Sequence, residues 1–374
     1  MEYHRLGDYI REVNVRNRDL KVTNLLGLSI EKRFIPSIAN TIGTDMSVYK
    51  IVTPKQFAYV PVTSRNGEKI TVALYKGEGP AIISQAYTVF EIIDHNALLP
   101  EYLMMWFRRP EFDRYARFHS HGSAREVFDW DELCDVKLPV PSIARQREIV
   151  AEYETLSNRI RLNEQMIEKL EATAQALYRK MFVDGVDREN LPEGWRKKNL
   201  FDVSRVIYGF PFNSDLFCDD CSLLPVVRIR DIVENKTYTY TSEDVDDKYG
   251  IKDGEILIGM DGNFHMTIWS GGRAFQNQRI VRIIPNHEES ISSYQIFFAI
   301  INPIKELETS IEGTTVAHLS DKDMKRMTVI VATQDIQEQV YSQFEAINRN
   351  VILYKKENLK LTELQSLLLA RMGK

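Results

Sequence analysis

Cysteine is scarce in this sequence. Three residues in 374 are too few to staple a chain of this length, so a disulfide scaffold is excluded and a reducing cytoplasm is the expected compartment. No apolar run reaches the roughly eighteen residues that a membrane-spanning helix needs. The first residues, MEYHRLGDYI, are charged and contain no apolar stretch, so no secretory leader is expected. An excess of either charge is also lacking: 48 Lys+Arg stand against 53 Asp+Glu, a net of −5. Any nucleic acid would therefore have to meet a local basic face. What is present is ordinary for a globular chain, 44% hydrophobic residues, and the length suits about two to three domains.

Signatures of catalysis are missing as well. There is no GxxxxGK[ST] loop to cradle a nucleotide and no HExxH pair to hold a metal. No GxSxG nucleophile elbow occurs, and Asn302-Pro303 is followed by Ile304 rather than by the second proline and aromatic of an amino-methyltransferase motif. Asp246/Asp247 and Glu288/Glu289 sit in acidic, turn-like stretches and read as solvated loops. Cys218 and Cys221 have CxxC spacing, but the only other cysteine is Cys134 and the nearest histidine is His265, so two reduced surface thiols are expected rather than a zinc site. No catalytic residue, metal or cofactor is assigned to this chain.

The chain repeats itself at an offset of 191 residues, without a gap, from Gly122/Gly313 to Met181/Met372. Identities include Val140/Val331, Gln146/Gln337, Glu154/Glu345, Lys169/Lys360 and Leu177/Leu368; fainter echoes link Leu6 and Asp8 to Leu200 and Asp202, and Ala81 and Gln85 to Ala274 and Gln278. Each half opens with short apolar runs that read as strands, among them Ile70–Tyr75, Ala81–Ile93, Leu223–Ile229, Glu255–Met260 and Arg279–Ile284. Helical patterns occur around Leu99–Phe107 and Ser293–Ile301, and each half closes on one long helix. Val183–Trp195, with Asp-Gly and Leu-Pro-Glu-Gly-Trp, reads as the joint.

The long helices carry the clearest pattern. In the first, Ile149, Tyr153, Leu156, Ile160, Asn163, Ile167, Leu170, Ala174, Leu177 and Met181 step by four and three. In the second, Val340, Phe344, Ile347, Val351, Tyr354, Asn358, Leu361, Gln365, Leu368 and Met372 do the same. Such heptad seams signify a coiled coil, here about 48 Å long at 1.5 Å per residue. Two pairings are open: the seams meet each other antiparallel, or each meets a second copy. The antiparallel pairing is the expectation. In the register of full overlap the facing positions sum to 521, which sets Asn163 against Asn358; a buried amide needs a partner, so this pair would favour that register.

Charge by segment is even: residues 1–142 carry 18 basic and 18 acidic side chains, residues 185–333 carry 17 and 23. Within them basic residues cluster with amides, at Arg196-Lys197-Lys198, Arg228-Ile229-Arg230, Asn277-Gln278-Arg279 and Lys322 with Lys325-Arg326. Arg, Asn and Gln are the side chains that read guanine and adenine edges in pairs of hydrogen bonds. His119 and His121 lie in a basic stretch with Arg108, Arg109, Arg114 and Arg117, suited to an anionic backbone.

In this setting several segments resemble the specificity subunit of type I DNA restriction-modification enzymes. They are Lys137-Leu138-Pro139-Val140-Pro141 leading through Gln146 into the first long helix, Leu177–Met181 closing it, Leu191-Pro192-Glu193-Gly194-Trp195, and Gly209-Phe210-Pro211-Phe212. Gly254–Gly262, Asn277-Gln278, Gly313-Thr314-Thr315 with Leu319-Ser320, and Gln337 complete the set. The likeness runs along essentially the whole chain; single motifs are degenerate, while their order and the repeat are specific. Two departures are that the first half lacks the Leu-Pro-Gly-Trp opening and that Val329–Thr333 replaces a proline-rich turn.

The resemblance implies an α+β fold: two mixed α/β target-recognition domains in pseudo-twofold repeat, separated by a long antiparallel helical coiled coil, with boundaries at 1–142, 143–184, 185–333 and 334–374. It implies a non-catalytic subunit whose domains each read half of a bipartite double-stranded DNA site, with two methylation subunits docked on the helices and restriction subunits joined through them. S-adenosylmethionine, ATP and magnesium would belong to those partners. A 48 Å spacer corresponds to about 14 base pairs at 3.4 Å each, leaving several unread. The DNA-contact candidates are Arg228, Arg230, Asn263, Gln278, Arg279, Thr314 and Thr315 in the second domain. In the first, chosen mainly by position in the repeat, they are Arg65, Asn66, Gln85, His119, His121 and Arg125. Near-neutral domains predict modest, partner-dependent DNA binding. A coiled-coil adaptor that binds only proteins is the competing reading, and a fused enzyme with its own nuclease is a third that the missing motifs disfavour.

Overall fold

The structure is a computed structural model and describes residues 2–38, 43–64, 67, 69–122, 126–310 and 317–373. It divides into two compact units, Met1–Arg159 with Leu361–Lys374, and Ile160–Lys360. Each long helix therefore contributes to both.

The first unit is built on an antiparallel sheet in the order Ile10–Val13, Thr88–Ile92, Phe57–Tyr59, Val72–Leu74. The two inner strands have apolar residues on both faces because both faces are covered. Phe57, Tyr59 and Phe90 pack with Tyr102, Leu103 and Phe107 of helix Pro100–Phe107. Ala58 and Val89 pack with Val52, Ala81 and Ile83 of a second strand pair, Lys50–Val52 with Ala81–Ile83. Proline opens both helix Pro100–Phe107 and helix Pro110–Phe118, where its missing N–H costs nothing. Helix Trp130–Asp135 starts on Asp129, whose carboxylate accepts the Glu132 N–H at 2.9 Å. Strand Tyr3–Arg5 pairs with Lys137–Pro139, tying the start of the globular part to its end.

The second unit repeats this plan. Its sheet runs Ser204–Tyr208, Ile280–Pro285, Ile256–Gly259, Met266–Ile268, the same order of equivalent strands. Ile256, Ile258, Val281 and Ile283 face helix Ser293–Ser310, while Leu257 and Ile280 face Val227, Ile251, Trp269 and Ala274. Arg196–Asn199 pairs with Thr328–Val331 as the closing ribbon. That ribbon stands where Lys137–Pro139 stands in the first unit, so the departure from a proline-rich turn leaves the architecture unchanged.

Three local expectations are corrected. Ala81–Ile93 is two strands in two sheets, because Ser84 ends the first: its carbonyl accepts the Tyr87 N–H at 3.1 Å and its hydroxyl the Ala86 N–H at 3.3 Å. Of Leu223–Ile229 only Val226–Val227 is strand, since Ile229 opens a short 3-10 turn in which the Asp231 carboxylate accepts the Arg228 N–H. Helix Ser293–Ser310 runs through Pro303 instead of stopping near Ile301. An interior proline costs about 3 kcal/mol, but Ile296, Ile300 and Ile304 are all buried in one core across it, and each is worth about 1.5–3 kcal/mol.

The long helices are Ile143–Phe182 and Gln334–Arg371. In the first unit Gln365 donates to the Ser157 hydroxyl at 2.7 Å, and Val150, Tyr153, Leu369 and Met372 are buried in one cluster. In the second unit Asn163 donates to Asn358 at 2.8 Å and to Glu357 at 3.0 Å, and Lys355 pairs with Glu171 at 3.1 Å. Partner numbers fall on one helix as they rise on the other, so the pairing is antiparallel and lies within the chain. The Asn163/Asn358 register is the one the heptads specify, and every seam residue is buried or half-buried.

Both helices carry the repeated glutamine in their first turn. Gln146 donates to Ala97 O and Pro141 O, each at 2.9 Å, and accepts the Leu99 N–H at 2.9 Å. Gln337 donates to Ser290 O at 2.9 Å and to Gln295 Oε1 at 2.5 Å, and accepts the Ala332 N–H at 3.2 Å. Both side chains are buried, and each joins its long helix to the loop that starts the domain's own helix.

Candidate nucleic-acid interface

In the second unit a polar cluster forms where the sheet strands end. Antiparallel pairing sets Gly259 opposite Ile280, which brings the residues just beyond each strand together. Asp261 lies 3.2 Å from Arg279 Nη1 and 2.7 Å from His318 Nδ1. The chain around His318 is stitched to this edge, Gly262 N–H to Ala317 O at 3.0 Å and Leu319 N–H to Met260 O at 2.8 Å. Arg279 keeps much of its side chain in solvent; Gln278, just before it in sequence, and Asn263, two residues after Asp261, are exposed. Tyr208, at the end of the edge strand, donates to Asp321 at 2.8 Å. Burial first, and the bonded Asp321 second, push its phenol well above the ordinary tyrosine range, so it stays a neutral donor.

The equivalent place in the first unit is held by the His121–Val127 pairing, with N–H···O bonds of 3.0 and 2.9 Å, and by Thr63, whose hydroxyl donates to Ser120 at 3.0 Å. Val127 and His318 are 191 residues apart, the repeat offset. His119 stacks on Tyr115 at 4.1 Å and places Nδ1 2.8 Å from Glu132; His121 Nε2 lies 3.5 Å from the same carboxylate. The two histidines thus share one acid, as Arg279 and His318 share Asp261.

The remaining candidates are placed as follows. Gln85 is exposed in the turn between Ala81–Ile83 and Thr88–Ile92, matching Gln278 in the turn between Ala274–Gln276 and Ile280–Pro285. Arg230 is exposed, 4.0 Å from Asp231. Arg228 is half-buried: it donates to the Thr239 hydroxyl, lies 3.6 Å from Asp231 and stands 5.9 Å over the Phe217 ring. These contacts hold its guanidinium to its own unit. Arg65, Asn66, Arg125, Thr314 and Thr315 lie outside the described residues.

The basic stretch of the first unit divides in the same way. Arg109 is buried 4.1 Å over Trp106, Arg108 donates to the Tyr153 hydroxyl at 3.0 Å, and Arg117 donates to Gly67 O at 2.6 Å. Arg114, 3.7 Å from Glu111, is the most exposed of the four, and Arg117 is exposed as well. Buried Lys32 pairs with Asp113 at 2.7 Å, and burial depresses its ammonium despite that carboxylate. Cys134, Cys218 and Cys221 are free thiols, and among the described residues no cluster of His, Cys, Asp and Glu has metal-holding geometry.

Asp261, Glu132 and His318 were not singled out from the sequence. Glu132 and Asp261 acquire their roles through contacts with residues well separated along the chain, which no local pattern records. His318 was within reach, because it stands at the repeat offset from the Ser120–Val127 loop.

One mixed α/β fold, present twice with a polar cluster near the end of the sheet strands in each copy, defines the class: an internally duplicated α/β protein with a long helix closing each half. The model of the type I restriction modification DNA specificity domain matches residues 22–172 and again 192–363. The chain belongs to that family and carries two copies of its domain.

Individual relatives are distant. Over 307 residues the chain is 24% identical to the type I restriction enzyme MjaIX specificity subunit of Methanocaldococcus jannaschii, covering 75% of this chain and 70% of that one. It is 22% identical over 375 residues to the HindI specificity subunit of Haemophilus influenzae, covering 76% and 79%. The match to the Escherichia coli EcoBI specificity subunit, 27% identical over 136 residues, covers 36% of this chain and 28% of that subunit. The crystal structure of a type I restriction-modification system S subunit from M. genitalium superposes with a TM-score of 0.63 at 13% identity, covering 100% of this chain and 96% of that one. It shows the fold is shared.

Proposed function

We propose that this chain is the non-catalytic DNA-recognition subunit of a type I restriction-modification complex, each unit reading one half of a bipartite site. The observation that carries the reading is the repeat of one fold in which the Val62–Val127 bridge of the first unit answers to the Asp261–His318 bridge of the second, with a polar cluster beside each, His119–His121–Glu132 in one and Asp261–Arg279–His318 in the other. Exposed amides beside it, Asn263 and Gln278, have the chemistry of adenine readers. The paired seams act as the spacer that sets the unread gap between half-sites.

Methylation subunits would dock on the helices. Leu353 and Leu367 are each more than half exposed, and Leu162, Met166 and Leu364 more than a third, apolar side chains of the kind that interfaces cover. S-adenosylmethionine, ATP and magnesium then belong to the partner subunits, and the working compartment is the cytoplasm, where those subunits meet DNA. No helix among the described residues is long and apolar enough to cross a membrane.

The test is co-expression with a type I methylation subunit, followed by single-molecule sequencing of host DNA for methylated adenine. Methylation confined to one split motif is the expected result. Assembly without any motif would overturn the reader assignment and favour the adaptor reading.

A further inference from the structure

We propose that Phe118 is a stacking wedge for the DNA half-site of the first unit, inserted at a base step rather than hydrogen-bonded to a base edge. The proposal rests on the DNA-reading function above.

Phe118 ends helix Pro110–Phe118 and is 81% exposed, next to Ile38 the most exposed of the large apolar side chains described. Its sequence neighbours are not free to shield it. Arg117 is turned away onto Gly67 O and Glu126, and His119 is held by its stack on Tyr115 and by Glu132. Phe118 meets His119 edge-on at 5.2 Å, 75° between planes. The ring is thereby supported from behind, by a histidine that is itself fixed, and left bare in front.

The surroundings decide the occupant. Phe118 directly precedes His119 and the His121–Val127 pairing, and Val127 stands where His318 stands beside Asp261 and Arg279 in the second unit. A lone bare ring amid histidine and arginine is a poor core for a protein interface, which needs a continuous apolar centre with a polar rim. It has the character of the Phe, Leu and Met wedges that unstack base pairs, and every base offers a face to an aromatic ring. Among the described residues the second unit's corner has no exposed aromatic and presents Asn263, Gln278 and Arg279 instead. The two half-sites are therefore read by different means, one partly by how easily a step opens and the other by base edges.

The experiment uses the full chain assembled with a methylation subunit, on duplexes of the split motif found by methylation mapping. 2-Aminopurine is placed in turn at each adenine of both half-sites. Apart from the methylation-target adenine of each half-site, which a methylating enzyme takes out of the stack whatever stands at position 118, fluorescence with wild type should rise several-fold at one further step of one half-site only. Phe118→Ala should abolish that rise and weaken specific binding about tenfold, with thermal melting and assembly unchanged; Phe118→Trp should keep the rise. A motif bound equally well by Phe118→Ala, with the same fluorescence, would overturn the wedge and leave the DNA-reading function standing. Absence of any split motif with wild type would overturn both.

Discussion

Asn163 donates its side-chain N–H to Asn358 Oδ1 at 2.8 Å, across a seam whose other members are mostly apolar. The pair sits where full antiparallel overlap of two heptad patterns puts it. Asn163 is almost wholly buried, so its amide stabilises this register chiefly by what any other register would leave unpaired.

Asn163→Leu alone should therefore destabilise the second unit by about 1–3 kcal/mol. The double change Asn163→Leu/Asn358→Leu should recover most of that loss while loosening the register. Urea denaturation of both singles and the double makes the comparison; losses that simply add would mean that the two amides do not act as a pair.

Gln146 and Gln337 should behave alike. Removing either amide with Leu leaves a buried backbone N–H, of Leu99 or Ala332, without its acceptor, at a cost of about 1–3 kcal/mol. Hydrogen exchange should speed up at the start of the long helix in the altered unit and not at the other. Equal effects in both units would contradict it.

High pH should weaken the first unit before it unfolds outright. Burial pushes the Tyr102 phenol up to about 12, and its hydroxyl donates to Pro139 O at 3.1 Å. Between pH 10 and 12 the unfolded chain has lost this proton and the folded chain keeps it, so stability falls as pH rises. The loss from this residue approaches roughly 2–3 kcal/mol at the top of the window. Tyr102→Phe should flatten the slope of stability against pH there; an unchanged slope would clear Tyr102 of the effect.

Two arginines of the second unit should part company. Arg228→Ala removes the bond to Thr239 and the contact with Phe217, so its main effect should be a lower melting temperature. Arg279→Ala, at an exposed pair with Asp261, should leave melting nearly unchanged and relax recognition at one base pair, by about 1–3 kcal/mol of discrimination if it reads a base edge. Methylation mapping of both variants separates them. A uniform loss across all sequences for Arg279→Ala would make it a phosphate contact instead.

The spacer reading makes its own demand. One heptad added after Leu170, with a partner heptad at the facing point of the second long helix, should lengthen the unread gap and leave both half-sites intact. An unchanged methylated motif would end the idea that seam length is the ruler.

Much of the framework was legible because it follows from short-range regularities. Heptad spacing needs only a 3.6-residue helix, so the seams and their facing asparagines could be read directly. The repeat offset carried Gln146 to Gln337; the same offset sets Val127 against His318, a correspondence the sequence held but the residue choices did not use. Strand boundaries were less legible: Ala81–Ile93 looks continuous as a string, yet a Ser84 turn sends its two parts into different sheets.

The candidate contacts divide on the same line. Which residue types could meet DNA was a matter of composition, and the sequence by itself determined those types, the duplication and the register the two seams would take if they paired antiparallel; that they do pair within the chain was decided by the fold. Only the tertiary structure decided which of those side chains are already occupied. Arg228 is bound within its own unit, Arg279 and His318 share Asp261, His119 and His121 share Glu132, and Phe118 is left bare. The reason is physical: a guanidinium or imidazole held by an acceptor of its own unit must give up that contact to meet a partner, at little cost for an exposed pair such as Arg279–Asp261 and at more for half-buried Arg228. The nearest acceptors here, Thr239, Asp261 and Glu132, lie 11 to 57 residues away in the chain and are brought close by strand pairing and helix packing.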